Sequence, residues 1–145
     1  MATSHSSPEP CILVIFGASG DLTSRKLIPA MYEMTRSGAL HEKTRIVGVS
    51  RSQKTDEQWR EELKPWVKDH AKGFDEAAWA RLASRIHYFS GDAVKPDCYP
   101  ALRQKLDEMA EAHGTRGNLL FFLSVAENLY EPIIAEIDAA GLVIE

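Results

Sequence analysis

The chain has 145 residues, of which 44% are hydrophobic, and this is enough for one domain with a buried core. Its formal net charge of -4 and its scattered basic residues argue against a nucleic-acid-binding surface. The two cysteines, Cys11 and Cys98, form no CxxC pair, so the sequence predicts neither a disulfide framework nor a zinc site.

Residues 1–10 are polar and contain neither a basic n-region nor an apolar core, so we predict a disordered leader and not a signal peptide. No apolar run in the sequence approaches the roughly 20 residues that a membrane span requires. We therefore expect one domain over residues 11–145, no membrane partner and a cytoplasmic location.

The first predicted strand, residues 12–16, is a short apolar run of the kind that is buried in parallel sheets. The apolar residues that follow have helical spacing and predict a helix over residues 22–36. Pro29 lies within this helix and lacks the N–H that would bond to the Arg25 carbonyl. We therefore expect the helix to bend or restart near Pro29, which would turn Arg25 and Lys26 toward a cleft.

The rest of the chain alternates between strand and helix patterns. Further strands are predicted over residues 45–50, 86–89 and 118–123. Further helices are predicted after Asp56 and Asp75 as N-caps, and over residues 100–112 and 129–140. This alternation predicts an α/β fold, a doubly wound parallel sheet with right-handed crossovers and helices on both faces.

The turn after the first strand has the pattern Gly17-x-x-Gly20. Gly17 would let the chain turn sharply, and Gly20 would let the backbone approach a ligand. The next helix would direct its N–H groups and the positive end of its dipole into this turn. A nucleotide-phosphate site is therefore the preferred interpretation, and a structural glycine turn is the alternative. A P-loop is disfavoured because no glycine precedes Arg25 and Lys26.

The predicted phosphate contacts are the residues of this turn, with the Ser19 and Thr23 hydroxyls and the N–H groups of residues 20–22 as donors. Asp21 is more typical of a helix cap than of a catalytic acid. The full predicted set is Gly17, Ala18, Ser19, Gly20, Asp21, Leu22, Thr23 and Ser24.

The end of the second predicted strand carries Arg51. Dinucleotide sites that prefer NAD place an acidic residue there, whereas NADP sites place an arginine that pairs with the 2′-phosphate. No acidic residue follows this strand until Asp56. Because arginine can both pair with a phosphate and stack on adenine, the sequence favours NADP as the cofactor. A solvated loop arginine is the alternative.

Ligands of doubly wound sheets lie outside the carboxyl ends of the strands. The loop after the fourth strand should therefore line the nicotinamide half of the site, through Ser124, Val125, Ala126, Glu127 and Tyr130. By the same rule, Asp92 and Ala93 should border the adenine. Two alternatives stay open: Tyr130 as a helix residue packed on the sheet, and Asp92 as a turn or capping acid.

None of the five histidines is paired with a carboxylate or a serine at a recognisable spacing, and neither a nucleophile triad nor a metal cluster can be drawn. A short-chain-reductase-like enzyme would need a Tyr-x-x-x-Lys couple, but Ile134 lies four residues after Tyr130. The residues thus predict a cofactor half-site without a convincing acid–base group for hydride transfer.

Three segments resemble a known family. The string GASGDLTSRKLIP, which ends at Pro29, closely resembles the opening of glucose-6-phosphate dehydrogenases. Gly48-x-x-Arg51 is similar to that family's G-x-x-R, and residues 129–132 (LYEP) resemble its third cofactor segment. The resemblance covers nearly all of residues 11–145.

The resemblance implies a Rossmann-type NADP-binding domain in which residues 17–24 form the phosphate loop and Arg51 selects NADP. It also places Lys26 between the coenzyme and the sugar phosphate. One departure is that this chain has Ala126-Glu127 where the family usually has a proline pair or Ala-Pro. Because proline stiffens a loop, Glu127 should loosen the segment beneath the nicotinamide.

The family's histidine base and its large α+β domain have no counterpart in residues 1–145. The resemblance therefore implies a parent enzyme that oxidises D-glucose 6-phosphate to 6-phosphoglucono-1,5-lactone with NADP+ in the pentose phosphate pathway. We expect that parent to be a homo-oligomer through the further domain, and this chain to be inactive alone. A stand-alone NADP-binding or sensing module without turnover is the alternative.

Overall fold

The structure is a computed structural model that describes residues 10–20, 22–114 and 118–142. Nearly all of the predicted leader, and Asp21, lie outside the described residues. In chain order the elements are β1 Ile12–Phe16, a π-helical turn Thr23–Leu27, α1 Ile28–Ser37, β2 Arg45–Ser50, α2 Asp56–His70, α3 Glu76–Ala83, β3 Ile86–Ser90, a 3-10 turn Pro96–Cys98, α4 Tyr99–His113, β4 Leu119–Leu123, a 3-10 turn Glu127–Leu129 and α5 Tyr130–Ala139. Within the described ranges, no helix combines the length and the apolar character needed to cross a lipid bilayer.

The four strands form one sheet in the order β3-β2-β1-β4, and every neighbouring pair is parallel. Val14 at the centre of β1 lies opposite Val47 of β2 on one side and Phe121 of β4 on the other. Helices cover both faces, so the predicted fold class is confirmed.

Alternate residues of β1 belong to two separate cores, because successive side chains of a strand point to opposite faces. Leu13 and Ile15 pack with α1, α2 and α3, whereas Ile12, Val14 and Phe16 pack with α4 and α5. The strand is buried along its whole length. Such a strand can only be apolar on both faces, which is what the sequence of β1 indicates.

The first helix restarts where Pro29 predicts it. The N–H of Ile28 bonds to the carbonyl of Thr23, a five-residue spacing that is typical of a π-turn. Pro29 is then the second residue of α1, where a missing N–H removes no bond of a regular helix. The predicted restart near Pro29 is confirmed.

The N-cap of α2 is Thr55, so the prediction of Asp56 in that role was wrong. The Thr55 hydroxyl accepts from the N–H of Gln58 at 3.1 Å, and the Gln58 side chain accepts from the N–H of Thr55 at 2.8 Å. This reciprocal pair is a capping box, which satisfies two otherwise unpaired donors. Asp56 is thereby released for another contact.

That contact is with the outer edge of β3. Asp56 accepts from the N–H of Tyr88 at 2.8 Å and lies 3.2 Å from Nδ1 of His87. Arg60 donates to the carbonyl of Ile86 at 2.6 and 3.0 Å. These side chains occupy backbone groups that would otherwise form an open sheet edge. The contact between His87 and Asp56 joins residues that are far apart in sequence, at no spacing that a motif would reveal.

Candidate functional site

The turn after β1 requires glycine at position 17. Gly17 has a φ of +95°, and a Cβ atom added to it would lie 2.0 Å from the carbonyl oxygen of Ser124. The N–H groups of Gly17 and Ala18 both donate to the carbonyl of Val49, at 3.0 and 3.1 Å. The turn is therefore fixed between β2 on one side and the end of β4 on the other.

The same turn uses two of its predicted phosphate donors internally. The Gly20 N–H donates to the Gly17 carbonyl at 2.8 Å, and the Thr23 hydroxyl donates to the same oxygen at 3.0 Å. Thr23 is fully buried. These two groups hold the turn closed through bonds within the protein, and their roles as phosphate donors stay predictions. A hydroxyl six residues along can reach back to its own turn, and sequence spacing does not reveal that direction.

Gly20 has a structural reason to be glycine. A Cβ atom there would lie 3.0 Å from the Gly17 carbonyl oxygen and 3.5 Å from that of Ser124. Close packing of the turn on itself and on β4 therefore favours glycine before any ligand is considered.

Two hydroxyl groups join the β1 turn to the end of β2. The Ser19 and Ser50 Oγ atoms are 2.8 Å apart. Arg51 follows Ser50 directly and is exposed. Gly48 of β2 leaves room for the packing of α2 and the β1 turn, because a Cβ atom at that position would lie 2.4 Å from the Trp59 ring and 2.7 Å from the Ala18 side chain.

These segments line a cavity of about 400 Å³ at the carboxyl edge of the sheet. The β1 turn, the end of β2, the loop after β3 and the segment after β4 all contribute. Seven predicted site residues line it: Gly17, Ser19, Gly20, Arg51, Asp92, Ala93 and Val125. The cavity lies where a doubly wound sheet binds its ligand.

The other predicted residues of the first turn lie elsewhere. Ala18 is buried beneath Gly48, and Leu22 is exposed. Ser24 lines a neighbouring cavity between the π-turn and α2. Lys26 lines a third depression, with Arg25 and His70 among its other residues, so the structure does not bring it to the cavity of Arg51.

Fewer residues of the segment after β4 line the cavity than were predicted. Ala126 and Glu127 are exposed, and Tyr130 is 39% exposed at the start of α5 and does not line the cavity. The Ser124 Oγ atom is buried and has no hydrogen-bond partner among the described residues. A buried hydroxyl without a partner is costly, and a ligand or water can satisfy it.

Sequence reasoning missed six lining residues: Val49, Ser50, Gly91, Val94, Leu129 and Ile133. Ser50 and Gly91 could have been included, since they are neighbours of Arg51 and Asp92 at strand ends. Leu129 and Ile133 reach the cavity because the last helix begins with a 3-10 turn, and the sequence gives no clear signal for that geometry.

The loop after β3 is held by its own contacts. The Asp92 carboxylate accepts from the N–H of Val94 at 3.2 Å, so Asp92 is a turn acid as well as a lining residue.

The described part of the chain offers neither a reactive thiol at Cys98 nor a metal cluster. Burial, together with the carboxylates of Asp92 and Glu136, raises the pKa of the Cys98 thiol to about 11. Cys98 is therefore protonated at neutral pH and is a poor nucleophile. In the described ranges, no three His, Cys, Asp or Glu side chains are grouped so that they could hold a metal ion.

The arrangement suits a nucleotide. An exposed guanidinium and the Ser19–Ser50 hydroxyl pair supply donors for a phosphate, and apolar side chains of Val49, Val94 and Val125 supply walls for flat rings.

Comparisons with known proteins agree with this arrangement. The family model "Glucose-6-phosphate dehydrogenase, NAD binding domain" matches residues 14–145. A glucose-6-phosphate 1-dehydrogenase of Chlamydia muridarum is 39% identical over 131 residues, which are 89% of this chain and 26% of that protein. The chain thus spans about a quarter of the length of this relative.

Two solved structures are similar to this one. Glucose-6-phosphate 1-dehydrogenase from Mycobacterium avium is 31% identical, with a TM-score of 0.80 over 94% of this chain and 28% of its own. A glucose-6-phosphate dehydrogenase in complex with its substrate glucose-6-phosphate is 27% identical, with a TM-score of 0.86 over 98% of this chain and 29% of its own. The chain belongs to the glucose-6-phosphate dehydrogenase NAD-binding domain family.

Proposed function

We propose that this chain binds NADP+ as the coenzyme domain, residues 11–145, of an enzyme that oxidises D-glucose 6-phosphate to the lactone. The observation that carries the proposal is the meeting of Arg51 with the Gly17–Gly20 turn in one cavity. An exposed arginine directly after the second strand is suited to the 2′-phosphate that distinguishes NADP from NAD.

The proposed roles follow from the positions of the residues. The β1 turn and the Ser19–Ser50 pair hold the phosphate-bearing half of the coenzyme, and Arg51 binds the 2′-phosphate. Asp92 and Ala93 border the adenine, and Val125 with Leu129 supports the nicotinamide half. The bound nicotinamide supplies a hydride acceptor for C1 of the sugar. Contacts of Ala126, Glu127, Tyr130 and Lys26 with coenzyme or sugar phosphate stay predictions, because the structure places these residues outside the cavity.

The wider setting belongs to the same proposal. We infer that the whole enzyme acts in the cytoplasm, in the pentose phosphate pathway, as a homo-oligomer without nucleic-acid or membrane partners. The net charge of -4 supports the lack of a nucleic-acid partner. The stand-alone binding module is less favoured, because the curated relatives that match most of this chain, such as those of Chlamydia, are glucose-6-phosphate 1-dehydrogenases.

Titration with NADP+ and NAD+, before and after Arg51→Ala, tests the proposal. Loss of a charge-assisted pair costs about 1.5–3 kcal/mol, so NADP+ affinity should fall by about 10- to 150-fold while NAD+ affinity changes little. Arg81→Ala is the matched control, since Arg81 is exposed on α3 and does not line the cavity. An unchanged preference between the two coenzymes after Arg51→Ala would contradict the assignment.

A further inference from the structure

Lys54 lies three residues after Arg51 and is held in place by several contacts. Its Nζ is 2.6 Å from Oε1 of Glu62 and 5.8 Å from the centre of the Tyr88 ring. The Lys54 side chain is 16% exposed, whereas that of Glu62 is 53% exposed. The ammonium group is therefore largely removed from water, and its only close counter-charge among these contacts is itself half in solvent.

Lys54 also contacts the hydroxyl pair of the coenzyme cavity. Its Nζ donates to the Ser19 Oγ at 3.5 Å, and that atom is 2.8 Å from the Ser50 Oγ. Ser19 lines two cavities, the one with Arg51 and a neighbouring one of about 450 Å³ that contains Lys54 and Glu62. One hydroxyl thus separates the ammonium group from the proposed phosphate site.

The direction of these hydrogen bonds favours an anion. Lysine has three donors and no acceptor, so the Ser19 oxygen must accept from Lys54. The bond between Ser19 and Ser50 uses one of the two hydroxyl hydrogens. The other hydrogen remains available as a donor, and both serines line the cavity that contains Arg51. By donating to the Ser19 oxygen, Lys54 polarises the Ser19 hydroxyl and makes the pair a stronger hydrogen-bond donor next to Arg51.

Resting on the proposed function, we propose that Lys54 is a second specificity-determining residue, which favours a 2′-phosphorylated coenzyme by orienting the Ser19–Ser50 hydroxyl pair. Lys54 is a positioning residue in this role, because it acts through Ser19. Glu62 opposes it, since its carboxylate draws the ammonium charge away from the pair. The two side chains together adjust how strongly the site prefers the extra phosphate.

Adenosine 2′,5′-bisphosphate and adenosine 5′-monophosphate are suitable probes, because they differ in the 2′-phosphate and contain no nicotinamide. Calorimetric titration of the chain should give a ratio of affinities in favour of the bisphosphate. A unit charge acting over several ångströms at a partly exposed site changes such a ratio by about three- to tenfold, so Lys54→Met should lower it by this factor. Lys54→Arg should restore most of the preference, since it keeps a charged donor. Glu62→Gln should raise the ratio by about two- to fivefold.

Lys64→Met is the matched control. Lys64 lies on α2 in an ion pair with Glu76 at 3.1 Å and lines neither cavity. The Lys64→Met variant should leave the ratio of the two affinities unchanged, because it makes the same lysine-to-methionine change at a position that does not contact the Ser19–Ser50 pair. Urea denaturation of each variant identifies any loss of folding, and Glu62→Gln still tests the proposal if Lys54→Met does not fold.

Four results would overturn the inference. Equal weakening of both probes by Lys54→Met would mean that Lys54 only holds the loop. A lower ratio in Glu62→Gln would contradict the charge argument. If Arg51→Ala changes the ratio and Lys54→Met does not, this inference fails while the proposed function stands, whereas a chain that binds neither probe nor NADP+ contradicts both.

Discussion

The turn after β1 and the loop after β4 both follow apolar strands at the carboxyl edge of the sheet, but they are built differently. In the β1 turn, the N–H groups of Gly17, Ala18 and Gly20 all bond to carbonyls of the protein itself. In the loop after β4, Ala126, Glu127 and Asn128 are exposed, and the buried Ser124 hydroxyl has no partner among the described residues.

Position in the sheet explains the contrast. β1 lies between β2 and β4, so its turn has a strand end on either side, whereas β4 has β1 as its neighbour and presents Leu120 with 50% exposure. A segment with two neighbours can be fixed before a ligand arrives, and a ligand then binds without first ordering it. The proposed phosphate half of the site is therefore preorganised, and the proposed nicotinamide half is much less so.

Gly17→Ala should disrupt the β1 turn, in the preorganised half of the site, and should give the largest loss of stability. The added Cβ atom meets the Ser124 carbonyl at 2.0 Å in a left-handed backbone conformation, so we expect a loss of about 3–5 kcal/mol in the free energy of unfolding. Gly38→Ala is the control, because Gly38 also has a positive φ but has nothing within 4 Å of the added atom. It should cost about 1–2 kcal/mol. Urea denaturation measures both, and similar costs for the two variants would contradict the close contact.

Thr23→Val should loosen the same turn by a smaller amount. The change removes the hydroxyl that donates to the Gly17 carbonyl while it keeps the side-chain shape, and we expect a loss of about 1–2 kcal/mol. NADP+ affinity should fall several-fold with it, because the turn loses its closed form. In the control Thr35→Val, the lost hydroxyl donates to Met31 within α1, so stability falls without an effect on binding. Unaltered affinity in Thr23→Val would show that the turn does not need this bond.

Glu127→Pro should stiffen the loop after β4 and so make it more like the β1 turn. Its effect on stability should be the smallest of the three. The preceding Ala126 has φ -61° and ψ 143°, which a following proline tolerates. We expect a gain of about 0.4–1 kcal/mol in thermal or urea denaturation, since the unfolded chain loses conformations. Asn128→Pro is the opposing control: the residue before it lies in the 3-10 turn, so this variant should lose stability. A gain from Asn128→Pro would mean that the loop is not held as a 3-10 turn.

The fold could be predicted because its signals are local. Residues 12–16 and 45–50 match the observed strands, since the buried positions of a strand covered on both faces must be apolar. The restart at Pro29 could be predicted from one missing N–H group. The cap of α2 was assigned one residue late, because Thr55 and Asp56 are both good capping residues and only the contact with β3 separates their roles.

The sequence by itself determined the alternation of strands and helices, the glycine requirement of the first turn and the position of Arg51 at a strand end. The sequence displays these features in short local patterns, although the close contact of Gly17 with the Ser124 carbonyl exists only in the folded protein. Tertiary structure alone decided where polar groups point: Thr23 into its own turn, Asp56 to the edge of β3 and Lys54 to Ser19. The bonds of Asp56 and Lys54 join segments whose relative placement is set by packing of the whole sheet, whereas that of Thr23 closes its own turn. In each case, a group of the same identity could equally have faced water.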